Sequence, residues 1–164
     1  MIRRFGAGSL LIVLGACFPY GFAGGGLPAH VKTVAIIPFE NQTPAPELQR
    51  ELYETLRGEL RRRLGVRDAP EARANAIVRG TILRYDLDVP IAFSADATQA
   101  TAARRKLQLT VDIEIVDQTN GRTLWQRKGL TGEGEYAERA EADGRRQAVE
   151  KIVNDVVEGA QSQW

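Results

Sequence analysis

Apolar and polar positions along this chain change their spacing repeatedly, and each change marks a predicted element. Val34-Ala35-Ile36-Ile37 is a continuous apolar run within 31–39, the pattern of a strand covered on both faces. Pro38 has no N–H and should end its pairing, and 40–46 reads as a turn-rich connector. From Glu47 to Leu64 the spacing turns helical. Leu48, Leu52, Leu56, Leu60 and Leu64 recur every fourth residue with Tyr53 beside them, while Arg50, Glu51, Glu54, Arg57, Arg61 and Arg62 take the opposite face. Arg61-Arg62-Arg63 closes this helix, where cations suit the dipole.

A second strand is predicted over 76–89, stopped by Pro90. The stretch 92–103 is small and polar, buries little, and reads as a mobile hairpin loop. The clearest strand follows: Leu107, Leu109, Val111, Ile113 and Ile115 alternate with Gln108, Thr110, Asp112, Glu114 and Val116, one face dry and one wet. Asn120-Gly121 supplies the pair of positive φ values that tight hairpins favour, and Leu124-Trp125 opens the return strand to Gly132. Gly132-Glu133-Gly134 reads as a turn. A closing helix is expected over about 138–160, with Ala148, Ile152, Val156 and Ala160 as its stripe, widened by Val149, Val153 and Val157. Gly144 weakens its start by up to about 1 kcal/mol relative to alanine. The order β-α-β-β-β-α, with two one-sided helices and a one-sided strand, predicts an α+β fold. Its two layers are a mixed four-stranded sheet and two helices on one face.

The first residues carry a different signal. Arg3 and Arg4 precede the apolar Leu10-Leu11-Ile12-Val13-Leu14, and small residues lead to Cys17, the single cysteine. A basic start, a short apolar core and small residues at the cut site form a secretory signal. Leu14-Gly15-Ala16-Cys17 resembles a bacterial lipobox, in which the cysteine is acylated and becomes the new N-terminus. A spanning helix needs about 20 apolar residues, and this run is far shorter; an ordinary cleaved signal is the nearer competitor. The expected organisation is a signal at 1–16, a lipidated tether at 17–30 containing Gly24-Gly25-Gly26, and one domain at 31–164. Two or more acyl chains would hold the protein stably on a membrane, and the stretch 18–28 reaches at most about 35 Å.

The chain has 164 residues, 22 basic and 21 acidic, with a formal charge of +1. Loss of Arg3 and Arg4 with the signal leaves the acids one ahead, so no basic excess points to nucleic acid. With Cys17 acylated no internal disulfide can form, and burial alone must hold the fold. His30 is the sole histidine, which all but excludes a zinc site of nitrogen and sulfur ligands. No HExxH, GxSxG or GxxxxGK[ST] occurs, and paired carboxylates such as Asp86 and Asp88 suit a solvated sheet face. The expectation is a protein without catalytic residues, metal or cofactor. What stands out is cationic surface: Arg104-Arg105-Lys106 before the best strand, and Arg139, Arg145 and Arg146 around the start of the last helix. Arginine forks suit phosphates and carboxylates, although solvated charge is the default reading of each.

Leu27-Pro28-Ala29-His30-Val31-Lys32-Thr33-Val34-Ala35-Ile36-Ile37-Pro38-Phe39-Glu40-Asn41-Gln42-Thr43 resembles the opening of the lipopolysaccharide-assembly lipoprotein family, LptE. The likeness continues through the leucine-striped helix, Gly80-Thr81-Ile82, Leu109-Thr110-Val111-Asp112, Gly121 with Trp125, and the last helix. The resemblance implies a protein of the cell outer membrane, facing the periplasm. Such a protein plugs and helps assemble the LptD β-barrel and contacts lipopolysaccharide during its insertion. It also implies that basic residues before the third strand and before the last helix meet the lipid, here Arg104, Arg105, Lys106 and Arg139. Phe18 after the cysteine suits outer-membrane sorting. The runner-up is an outer-membrane lipoprotein that regulates a periplasmic cell-wall synthase; a periplasmic hydrolase is a weaker third.

Overall fold

Thr33–Ile36 forms strand β1, and the missing N–H of Pro38 divides its edge without ending it. Ile37 still donates to the Val78 carbonyl at 2.9 Å. Beyond the proline, Glu40–Asn41 forms β2 and pairs with the same neighbouring strand opposite Thr81 and Ile82. The connector expected over 40–46 therefore begins as sheet. Val34 and Ala35 point to opposite faces and are both buried, as a strand covered on both sides requires. The computed structural model describes residues 26–87, 105–137 and 139–162; the signal, Cys17, Arg104 and the loop at 92–103 lie outside them.

Helix α1 runs Glu47–Leu64, ended by Gly65 in the left-handed region at φ 66°. Leu48, Leu52, Leu56 and Leu60 are buried. The chain then makes the two-residue strand β3 (Arg67–Asp68), a 3₁₀ turn at Glu71–Arg73, and β4 (Ala76–Asp86). β5 spans Arg105–Asp117, β6 Thr123–Tyr136 and α2 Glu141–Ser162. The sheet order is β3-β1-β4-β5-β6, with β2 also on β4; β1 is parallel to β3 and β4, and β4, β5 and β6 are antiparallel. The α+β class and the mixed sheet stand as expected. The sheet has six strands instead of four, because β2 and β3 are too short to leave a period in the sequence.

Two expectations fail for physical reasons. Gly132-Glu133-Gly134 is not a turn but the interior of β6, which continues to Tyr136. A Cβ on Gly134 would lie 1.8 Å from the Gly144 carbonyl oxygen of α2, and one on Gly132 would lie 2.2 Å from that of Ala148. The glycines therefore let helix and strand backbones touch. Asn120-Gly121 does not make a two-residue hairpin either. Gly121 alone takes a positive φ, 70°, and its N–H closes back on the Asp117 carbonyl at 2.8 Å in a longer loop. α2 begins three residues later than expected, after a turn in which Arg139 itself adopts φ 70°.

The core lies between the sheet and the helix pair. On β5 the inner row Leu107, Leu109, Val111 and Ile115 is fully buried against Ile152, Val153, Val156 and Val157 of α2 and the α1 leucines. Among the described residues no helix packs on the opposite face of β4 and β5, and their polar residues there remain open.

Candidate functional site

The alternation that buries one row of β5 presents Gln108, Thr110, Asp112 and Glu114 on the other face. Arg79 of β4 stands directly opposite Glu114 and is ion-paired with it. Lys106 reaches diagonally to Glu133 of β6 at 2.6 Å, and that ammonium holds the Glu133 carboxyl below its usual range. Asp112 accepts the Gly129 N–H at 2.7 Å, where β6 bulges at φ 62°. The result is a wet surface of alternating sign with a shallow groove between Pro38, Arg79, Asp112 and Lys128.

At one end of this face stand the cations that the sequence singled out. Arg105 begins β5, exposed, in register with Tyr136, and Arg139 lies exposed in the turn three residues beyond Tyr136. The fold thus brings Arg105, Lys106 and Arg139 to one pole. It also supplies the neighbouring arginines of α2 with acids. Arg146 pairs with Asp143 at 2.7 Å, and Arg145 grips Glu51 through two nitrogens at 2.9 and 3.1 Å while meeting Glu47 at 3.2 Å and Glu141 at 3.5 Å. Arg145 was expected as solvated charge, yet its side chain is 14% exposed. It ties the start of α2 to the start of α1. Glu51 raises its already high pKa against the opposing effect of burial. Tyr85 at the end of β4 donates to Glu141 at 2.7 Å, and burial first, then that carboxylate, pushes its phenol well above the ordinary value.

At the other pole a buried acid went unremarked in the sequence. Asp117 closes the inner row of β5 and is 0% exposed. Its carboxylate accepts the Thr119 N–H at 2.8 Å and the His30 Nε2 at 2.7 Å, so that ring nitrogen carries a proton. Burial works to raise the Asp117 pKa, but the Thr119 N–H and His30 together hold it below the ordinary value. Parity was the available signal, since 117 continues the series 107 to 115. A histidine beside an aspartate resembles half of a catalytic set. Here it fastens residues 26–32 to the β5–β6 loop. Asn75 adds to this joint: its side-chain oxygen accepts from the Lys32 and Thr33 N–H groups at 3.0 and 3.1 Å, and its carbonyl accepts from Gln118 at 2.8 Å.

The opening motif has structural explanations. Phe39 is fully buried beneath Gly80, where a Cβ would stand 2.8 Å from its ring and 2.2 Å from the Asp112 carbonyl oxygen. Asn41 accepts from Thr43 N–H and Oγ1 at 3.0 and 2.8 Å and donates to the Ala45 carbonyl at 2.9 Å, shaping the approach to α1. Among the described residues no group of three histidine, cysteine or acidic side chains could hold a metal ion. No described helix is long and apolar enough to cross a membrane.

Comparison with known proteins agrees with this architecture. Among solved structures, the PelC dodecamer of Paraburkholderia phytofirmans superposes with a TM-score of 0.54 at 21% identity, covering 85% of this chain and 94% of that one. A Chlamydia trachomatis protein gives 0.51 at 12% identity over 79% and 98%. A Caulobacter crescentus protein described as a lipoprotein gives 0.50 at 18% over 76% and 88%. At such identities the likeness is one of fold. No curated protein matches the chain by sequence. The family model for lipopolysaccharide assembly, LptE, matches residues 31–156, which takes in both helices up to the last turns of α2 and every strand. The chain belongs to the LptE family of lipopolysaccharide-assembly proteins.

Proposed function

We propose that this protein is a non-catalytic lipoprotein of the outer membrane, acylated at Cys17 after removal of 1–16. Its domain at 31–164 would seat its open sheet face within the polar lumen of an LptD-type β-barrel. There it would assist the barrel's assembly and the passage of lipopolysaccharide. The observation that carries the reading is the open face itself: cross-strand pairs such as Arg79–Glu114 and Lys106–Glu133 give it the mixed polarity of a barrel interior. Of the candidates for lipid contact, Lys106 is engaged by Glu133, Arg104 lies outside the described residues, and Arg105 and Arg139 flank the pole. Arg139, exposed in the turn before α2, is the one best placed to meet an anionic glycolipid.

Purification at native levels from detergent-extracted membranes tests this. A one-to-one complex with a large β-barrel is expected, and depletion of the protein should lower surface lipopolysaccharide. Recovery of the chain alone, or of a dodecamer of its own copies as in the PelC structure, would refute the reading. Mass spectrometry of the mature N-terminus tests the anchor separately, and an unmodified Cys17 would remove it.

A further inference from the structure

We infer that the C-terminal end of α1 and the strand after it form a docking surface for anionic phospholipid headgroups. These headgroups belong to the leaflet in which the tether is anchored. The inference rests on the reading of Cys17 as the anchor and extends it to the domain. Arg61, Arg62 and Arg67 line a shallow groove floored by Gly58 and Gly65. Arg62 is held by Glu59, whereas Arg61 and Arg67 are exposed and their side chains have no ion-pair or hydrogen-bond partner among the described residues. The neighbouring carboxylates are largely engaged: Asp68 by Arg57 at 2.7 Å and Glu158 by Arg63 at 3.6 Å. Glu71 remains as a carboxylate on this side. The helix C-terminus absorbs about half a unit of positive charge, less than one arginine supplies.

Position is the second, independent observation. The Arg67 N–H donates to the Lys32 carbonyl at 3.0 Å, and Arg67 is in register with Thr33. The groove therefore opens beside the point where the tether joins the domain. From Cys17 the nine residues to Gly26 reach at most about 32 Å, so acyl chains at Cys17 keep this pole close to the headgroups. Arg105 and Arg139 are at the far end of β5, roughly 40 Å away, where Glu51, Glu141, Asp143 and Glu133 offset the neighbouring cations. The two poles differ in degree: the tether pole sets two exposed guanidinium groups without a side-chain partner in one groove, whereas at the far pole Lys106, Arg145 and Arg146 are matched and Arg139 stands exposed. A loose set of guanidinium groups around an open groove suits many headgroups at a surface better than one enclosed ligand.

The test uses the processed, acylated protein on vesicles with labelled headgroups. A fluorophore is placed at Ala72→Cys near the tether pole or at Leu87→Cys, exposed at the far end of β4. On vesicles containing phosphatidylglycerol, energy transfer from position 72 should exceed that from 87, and the difference should vanish on purely zwitterionic vesicles or in high salt. Arg61→Gln with Arg67→Gln should lower the docked-to-undocked ratio about thirtyfold, roughly fivefold for each arginine. The paired lysine substitutions should keep docking, and Arg84→Gln should leave it unchanged. Docking unaffected by the glutamine pair would overturn the inference. So would equal loss from Arg84→Gln, or displacement by inorganic phosphate at constant ionic strength. Failure to float with zwitterionic vesicles would instead refute the anchor. The groove is then judged by co-sedimentation of the unacylated full chain with the anionic vesicles, where loss on the glutamine pair supports it and no loss refutes it.

Discussion

Replacing Gly134 with alanine puts one methyl group between β6 and α2. The added carbon would start 1.8 Å from the Gly144 carbonyl oxygen and 2.6 Å from its carbonyl carbon. Both partners are backbone, so no side chain can swing aside, and α2 must retreat by more than 1 Å. A radial gap of that order forfeits up to about half of the dispersion energy of the contacts it opens. Along α2 those contacts include Ala148, Ile152 and Val156 against the inner row of β5. Overpacking of this kind costs about 3 kcal/mol, which for a domain of this size lowers the melting temperature by about 6–12 °C. Thermal unfolding followed by circular dichroism reads the effect directly. Gly58→Ala is the paired control: it lies on the exposed side of α1 with nothing within 4 Å, and helix propensity should make it neutral to stabilising by up to about 1 kcal/mol. If the two variants melt within about 2 °C of each other, the glycines of β6 are not there for close approach, and the packing argument fails.

Asp117→Asn should cost about 2 kcal/mol, because the amide cannot accept from both Thr119 and His30 as the buried carboxylate does. The Asp117 pKa is depressed in the fold, so its contribution is complete above the unfolded value of about 3.9 and fades as pH falls through the lower folded value. Urea midpoints of wild type and variant should therefore converge below about pH 4, and a constant gap would refute the assignment. Arg145→Met leaves Glu47, Glu51 and Glu141 without their common cation and should cost about 2–3 kcal/mol. Equilibrium unfolding checks this, and a loss below about 0.5 kcal/mol would mean that the clamp is only a surface contact. Asn75→Ala removes the acceptor shared by Lys32 and Thr33 and should cost about 1–2 kcal/mol. It should also raise amide hydrogen exchange at residues 31–33 before other sites; uniform change would argue against a local joint.

The elements easiest to foresee were those whose side chains alone decide them. α1 was legible at both ends because five leucines keep one period until Gly65 stops it, and β5 was legible because its ten central residues alternate without a break but one. β6 was legible only as far as Gly132, since Gly132 and Gly134 look like a turn unless it is known that α2 crosses them. β2 and β3, two residues each, carry no period and exist only because β1 and β4 offer free edges. The cations of the candidate site could be named from the sequence, but their partners could not. Arg145 and Glu51 stand 94 residues apart, and nothing local marks one as the other's counterion. Asp117 was within reach: its place in the buried row of β5 already required a satisfied carboxylate.

The charges on the open face are poorly explained by stability. Exposed ion pairs contribute about 0–1 kcal/mol each, and Arg79 and Glu114, like most of their kind here, could be exchanged for neutral residues at little cost to the fold. What the pairs do is hold a broad sheet surface wet while keeping each charge answered by a neighbour. Such a face can pass from water into another polar enclosure without stranding an ion, because the partners travel with it. An apolar face would instead stick to the first surface it met, and an unpaired charged one would carry a large desolvation cost. The same reasoning separates the two poles. The far pole, where Lys106, Arg145 and Arg146 are already matched, can be enclosed with Arg139 left to meet an anion there; the tether pole, with the Arg61 and Arg67 side chains unmatched among the described residues, is suited to an anionic surface that supplies the missing charge.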